Sequence, residues 1–272
     1  MRGTGWRRLV RQSYRLGARW IRRGAPGGRL GRRAGLMRLL VPLEPWRYWE
    51  LGRVAEADLA GRVLDVGSPK LLASLLREEG RGGVVATDLD DGEIERWRAV
   101  DPALDLRVAD ARALPFPDAS FDACVSVSVV EHIPGDGDRR AMAEIWRILR
   151  PGGVLHLTTN VARRPMHLLV DRPPWGAASA RVGDRWFFER RYGPGEVARR
   201  LLDEPWEVLG GAAARERRPV HDRFFALRPW SFALGGALRW ICPRNFVPLA
   251  GPEDLEGHTH GAVHLVLGKP AS

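Results

Sequence analysis

The chain has 272 residues with 44% hydrophobic side chains, enough to fill one sizeable core. Its two cysteines, Cys124 and Cys242, exclude a disulfide framework and favour a reducing compartment, so a cytoplasmic location is expected. The formal net charge is +10, yet twelve arginines precede the first acid, Glu44, so the remainder carries 10 − 12 = −2. Nothing approaches the ~20 continuous apolar residues of a membrane-spanning helix. There is no internal repeat and no metal-ligand cluster, and His258-Thr-His260 reads as a solvated loop.

Residues 1–43 form a basic arm ahead of a catalytic body expected over 44–272. In the arm, Trp6, Leu9, Val10, Tyr14, Trp20 and Ile21 fall near helical spacing with arginines between them. That pattern predicts an amphipathic helix lying on an anionic membrane surface, with tryptophans at headgroup depth. Gly24-Ala-Pro-Gly-Gly28 reads as a hinge, followed by an apolar patch from Leu36 to Leu43. A secretory signal fails because Arg38 splits the best apolar run. A nucleic-acid arm, a transit segment and an inert tail stay open beside the membrane reading, with nucleic acid the weaker partner.

The stretch Arg62-Val-Leu-Asp-Val-Gly-Ser-Pro-Lys70 is the most informative. Val63, Leu64 and Val66 read as a buried parallel strand. Gly67 suits a turn where backbone approaches a ligand, Ser68 a helix N-cap and Pro69 a first helical position. A helix from Leu71 follows, its positive end facing the turn. A second strand, Val84 to Asp88, and a third, Leu106 to Ala109, both end at carboxylates, Asp88 and Asp110. A fourth unit runs from Phe121 through Val130 into Glu131-His132-Ile133-Pro134. A helix bearing Met142, Ile145, Trp146 and Leu149 then meets Arg150-Pro-Gly-Gly153 and the strand Val154 to Thr158.

Asp65 to Gly67, Asp110-Ala111, Leu114-Pro115-Phe116, Phe121-Asp122, Glu131-His132 and Leu149 to Gly153 together resemble the class I S-adenosylmethionine (SAM)-dependent methyltransferases, in their small-molecule, type 11-like group. The resemblance is close over roughly residues 60–160 and looser beyond. It implies an α/β fold: a Rossmann-like, doubly wound, seven-stranded sheet, mostly parallel with an antiparallel last strand. The cofactor it implies is SAM. Asp65 and Gly67 would serve its methionine part, Asp88 the ribose hydroxyls with Leu89 on the adenine, Asp110 and Ala111 the adenine edge. Ser126 and Val127 would line the methionine side.

The loop departs from the family pattern, because Pro69 and Leu71 stand where the second and third glycines would be. Either Ser68 caps the helix and Lys70 pairs with the cofactor carboxylate, or the loop has lost its cofactor and the domain is a non-catalytic scaffold. The intact acids Asp88 and Asp110 favour the first.

After the fifth strand, Pro165 to Gly183 is too irregular for a core strand. A helix from Gly195 to Leu202, a sixth strand from Trp206 to Leu209 and a last strand from Ala262 to Leu267 are expected. An apolar insertion lies at about 211–261, with a helix from Trp230 to Ile241 ended by Pro243. The resulting expectation is methyl transfer to a small-molecule or lipid-like acceptor, with His132 and Glu131 as candidate catalytic residues. An RNA-directed enzyme using the arginine arm is the alternative. The stretch after the fourth strand, Ser126 to Glu131, lacks the [DNS]-P-P-[FYW] element of enzymes that methylate base amines.

Overall fold

The computed structural model describes residues 4–23, 29–81, 83–174, 179–227, 230–233, 235–255 and 260–271. The chain opens with α1 (Gly5–Arg23), α2 (Arg29–Leu40) and α3 (Arg47–Val54). An alternating half follows: β1 (Arg62–Val66), α4 (Leu71–Glu78), β2 (Gly83–Asp88), α5 (Asp91–Val100), β3 (Asp105–Val108), β4 (Phe121–Val127), α6 (Gly137–Ile148) and β5 (Leu149–Val161). Then come β6 (Met166–Val170), β7 (Arg181–Val182), β8 (Arg185–Arg191), α7 (Glu196–Leu201) and β9 (Glu207–Glu216). The chain closes with α8 (Val220–Ala226), α9 (Trp230–Ala233), α10 (Leu238–Asn245), β10 (Phe246–Leu249) and β11 (Gly261–Gly268).

Continuous apolar runs make buried central strands here, because helices cover both faces of the sheet. Val63, Leu64 and Val66 of β1 are buried, as are Ala123 to Val127 of β4. The main sheet has the order β10-β9-β11-β5-β4-β1-β2-β3. Strands β3, β2, β1, β4 and β5 are parallel, and β11 runs antiparallel between β5 and β9. The chain winds outward from β1 through β2 to β3, then returns to β4 on the other side of β1. The β1/β4 junction is therefore the switch point, where doubly wound sheets bind ligands beyond the carboxyl ends of their strands.

The sheet has eight strands rather than the seven expected. The insertion supplies the eighth, because β10 pairs antiparallel with the far half of β9 and covers an otherwise open edge. The sixth strand is correspondingly longer than expected, and the non-strand part of the insertion begins only after Glu216. The single helix expected over 230–241 is two, α9 and α10, separated at Gly235, where a Cβ would press on Leu40 and Val41. Pro243 lies inside α10 instead of ending it. Met166 to Val170 is a strand, but in a separate three-stranded sheet of order β6-β8-β7. The proposed hinge at residues 24–28 and the residues His258 and Thr259 lie outside the described residues. His260 is not a solvated loop residue: it is 7% exposed and its ring lies 5.2 Å from that of Trp46.

The arm forms the expected amphipathic helix, but its apolar face points inward. Leu9, Val10, Leu16 and Trp20 are buried in the same core cluster as α3, α4 and α5. Trp20 packs 6.3 Å from Trp97, and the Arg38 guanidinium lies about equally close to both rings. Gln12 donates to Ser74 Oγ at 2.9 Å, and that hydroxyl donates to Asp101 at 2.6 Å. Arg8 and Arg19 pair with Glu79 and Glu78 at the end of α4. Trp20 and most of the apolar stripe are thus spent on the protein's own core, and Trp6 is half-buried against Tyr48. A membrane role through Trp20 does not survive this packing.

Candidate active site

Asp65, fully buried, is the penultimate residue of β1, and the chain turns at Gly67 with φ +67°. A Cβ at Gly67 would lie 2.9 Å from Val129 Cγ1, so the loop after β1 is pressed against the turn after β4. Asp65 Oδ1 accepts from the Ser68 amide at 3.1 Å, while Oδ2 is buried without a partner. Burial pushes the Asp65 carboxyl up to about 6, with Lys70 opposing the rise. A partnerless buried carboxylate oxygen beside a glycine-lined turn fits the ammonium of a methionine moiety.

Ser68 and Lys70 differ from expectation. The Ser68 hydroxyl accepts from the Val127 amide at 2.8 Å, joining β1 to β4, and the N-cap position of α4 falls to Lys70 with no side-chain cap. Lys70 is 2% exposed; its ammonium donates to Ser68 O at 2.6 Å and pairs with Asp88 Oδ2 at 3.0 Å. It is committed to the expected ribose acid, not left to meet a cofactor carboxylate. Lys70 therefore braces the loop after β1 against the tip of β2.

Asp88 is half-buried at that tip, and Leu89 is 49% exposed beside it, suited to cover an adenine. Asp110 follows β3, held by the backbone and guanidinium of Arg112; those hydrogen bonds keep its carboxyl below the usual range. Ala111 adjoins it, and a shallow cavity lined by Arg112, Pro134, Asp136, Gly137 and Arg140 opens alongside. Ser126 and Val127 are fully buried at the end of β4, the Ser126 hydroxyl without a partner. Asp65, Asp88 and Asp110 thus occupy the carboxyl ends of three adjacent strands, β1, β2 and β3. The residues present fit SAM.

The turn after β4 is strained. Ser128 has φ 52°, a left-handed conformation rare for a residue with a side chain. Its amide bonds Thr158 and its hydroxyl donates to Glu50 Oε1 at 2.6 Å. The following short helical turn, Val130–His132, presents Glu131 and His132. His132 Nδ1 lies 2.8 Å from the carbonyl of Phe188, which fixes Nδ1–H as the donor, and burial lowers its pKa. Glu131 is fully buried with neither carboxylate oxygen in a hydrogen bond of normal geometry. Burial, reinforced by Glu50 and Glu189, pushes it up to about 8.

Glu50, Arg47, Ser128 and Glu189 were not found from the sequence. Glu50 pairs with Arg47 at 2.8 Å, and Glu189 pairs with Arg191 at 2.7 Å. Their helix and strand are brought over the tips of β4 and β5 by tertiary packing, and no local spacing marks them. Strand β8 is itself anchored where Arg190 and Tyr192 converge on the buried Asp138 of α6.

Residues 64–157 match a family model described as a methyltransferase domain. A Mycolicibacterium smegmatis protein named as an S-adenosylmethionine-dependent methyltransferase is 35% identical over 101 residues, covering 37% of this chain and 38% of that one. The phosphatidylethanolamine N-methyltransferase of Cereibacter sphaeroides is 34% identical over 109 residues, 38% of this chain and 52% of that one. The chain thus spans about half, or less, of the length of these curated relatives. In fold it is similar to a SAM-dependent methyltransferase of Methanosarcina mazei, with a TM-score of 0.50 at 16% identity over 79% of this chain and 95% of that one. The similarity to S-adenosylmethionine-dependent methyltransferases is thus carried by this core.

Proposed function

We propose that this chain transfers a methyl group from SAM to a small-molecule or lipid-like acceptor. The observation that carries the reading is the set of Asp65, Asp88 and Asp110 at three adjacent strand tips around Gly67, with Asp65 Oδ2 buried and unpartnered. When bound, the cofactor supplies a methyl already activated on a sulfonium, so transfer calls for in-line placement of a nucleophile more than covalent or metal catalysis. Asp65 holds the cofactor's amino group, Asp88 accepts from the ribose hydroxyls, and Lys70 keeps Asp88 in place. Glu131 and His132 sit on the acceptor side, beyond the strained Ser128.

Calorimetric titration with S-adenosylhomocysteine tests the cofactor half, and absence of binding at millimolar ligand overturns it. For the acceptor, comparison of methylated metabolites between a deletion strain and its parent identifies the product. A lipid-like acceptor is favoured by Leu227, Trp230, Trp240 and Ile241, which are between 49% and 78% exposed on the insertion. Arg239 stacks on Trp240 there and reaches Tyr14 of α1. Such a rim suits an anionic membrane surface, at which each arginine contributes about 1 kcal/mol. Replacing Trp230 and Trp240 by serine should abolish co-sedimentation with anionic vesicles. If the protein ignores vesicles and instead binds RNA with a steep salt dependence, the RNA reading takes its place.

A further inference from the structure

Next to the cofactor residues, a second polar cluster is enclosed by three elements. Helix α3 contributes Arg47 and Glu50, the turn after β4 contributes Ser128, Glu131 and His132, and β8 contributes Glu189 and Arg191. Glu50, Glu131 and Glu189 are at most 6% exposed. Two of the three carboxylates are compensated. Glu50 has Arg47 and the Ser128 hydroxyl, and Glu189 has Arg191 and the Asn160 amide. Among the described residues Glu131 has no guanidinium in a salt bridge; its oxygens are buried, with only its own amide and the Thr159 hydroxyl contributing weakly.

The surroundings do not cancel this charge. Against its own desolvation, Arg47 is held protonated by Glu50, Glu44 and Glu131, so it is shared among three acids. His132, His221 and His260 face the same region, and burial lowers the pKa of each, with Arg191 and His221 adding to it for His260. Three buried acids thus share two guanidiniums, and Glu131 is the one left without a paired cation. A buried acid left in this state lacks a cation. His132, Ser128 and Arg47, the neighbours of Glu131 in this cluster, are each half-buried.

We propose that this cluster is the acceptor subsite, and that it takes a primary or secondary ammonium whose charge is met by Glu131. The inference rests on the methyl-transfer reading for its chemistry, not for its binding. On binding, the ammonium supplies the missing counter-charge and Glu131 becomes a carboxylate, releasing its proton to solvent at neutral pH. For transfer, Glu131 then takes one N–H proton from the ammonium. The freed lone pair forms the new N–C bond to the sulfonium methyl as the S–C bond breaks, and that electron pair stays on sulfur. His132 is held beside Glu131 by its Nδ1–H bond to the Phe188 carbonyl.

The test uses octylammonium chloride as the probe, titrated calorimetrically into full-length protein with and without S-adenosylhomocysteine. Running it at pH 7 in two buffers of different ionisation heat counts protons. Saturable binding with close to one proton released per ammonium is expected, tenfold or more tighter than binding of octanol. Glu131→Gln should weaken the ammonium at least tenfold, abolish proton release and leave S-adenosylhomocysteine binding intact. In the wild type, which needs no variant to fold, ammonium affinity should rise from pH 6 to pH 9. Octanol bound as well as octylammonium, unchanged affinity in Glu131→Gln, or a flat pH dependence overturns the proposal. Ammonium binding without S-adenosylhomocysteine binding would sink the methyl-transfer reading and leave the cation subsite standing; the reverse result sinks the subsite alone.

Discussion

Lys70 Nζ lies 3.0 Å from Asp88 Oδ2, a buried cation reaching from the loop after β1 to the tip of β2. It joins the two elements that flank the nucleoside side of the site, in a loop whose glycines have been replaced by larger residues. Removing Asp88 and removing Lys70 should therefore act differently. Asp88→Ala should weaken S-adenosylhomocysteine by about 1.5–3 kcal/mol, the loss of two charge-assisted hydrogen bonds. Lys70→Met should act mainly through pH. Asp65 is raised to about 6 by burial, with Lys70 pulling it down, so the variant's Asp65 must titrate higher. Ligand affinity should fall as pH drops through about 6 in the wild type, and the fall should move to higher pH in Lys70→Met. Titrations from pH 5 to 8.5 check both.

Glu131 gives a stability prediction independent of any ligand. Its pKa is raised from 4.5 to about 8 in the folded state, with burial as the first cause. Between those values the native state holds a proton that the unfolded chain has lost. Stability from this group is therefore full at low pH and falls as pH rises toward 8. The penalty is on the order of 3–5 kcal/mol at pH 8. Glu131→Gln should raise the melting temperature at pH 8 and change it little at pH 5, measured by thermal unfolding across that range.

The arm should not be separable from the domain. Leu9 and Leu16 are fully buried, and Gln12 feeds the Ser74–Asp101 hydrogen-bond chain. Leu16→Ala should cost about 2–5 kcal/mol through the cavity it leaves. Deleting residues 1–43 should lower the denaturation midpoint far more, since it strips several buried side chains at about 1.5–3 kcal/mol each. Urea unfolding of the three proteins measures this, and an unchanged midpoint after deletion would contradict the packing.

Gly67→Ala should be costly beyond its size. The positive φ is strained for alanine by about 1–3 kcal/mol, and its Cβ would meet Val129 at 2.9 Å. Both lower stability and S-adenosylhomocysteine affinity together. A control at Gly80, which has φ +68° and open space around it, should carry the backbone strain without the contact.

The central sheet was legible because its signals are local. A buried parallel strand is a short apolar run, so β1 to β5 could be read from the sequence, whereas the roles given to Asp65, Asp88 and Asp110 came with the family resemblance. Glu131 and His132 stood out as an acid and a histidine a few residues past the end of β4. The arm's helical period was equally plain, but periodicity says only that one face is apolar, not what covers it. Leu9, Leu16 and Trp20 meet α3, α4 and α5 rather than lipid because those helices expose matching surface in three dimensions. Likewise, Lys70 was visible as an unusual lysine, yet its partner was decided by the 3.0 Å approach of a side chain on the neighbouring strand. The eighth strand came from an insertion whose Phe246–Leu249 segment is defined by the β9 edge it pairs with. The buried carboxylates Glu50 and Glu189 come from a helix and a strand far apart in sequence, and only packing over the ends of β4 and β5 brings them to Glu131. Charge burial is a property of the assembled core, so no reading of neighbours along the chain could have found it.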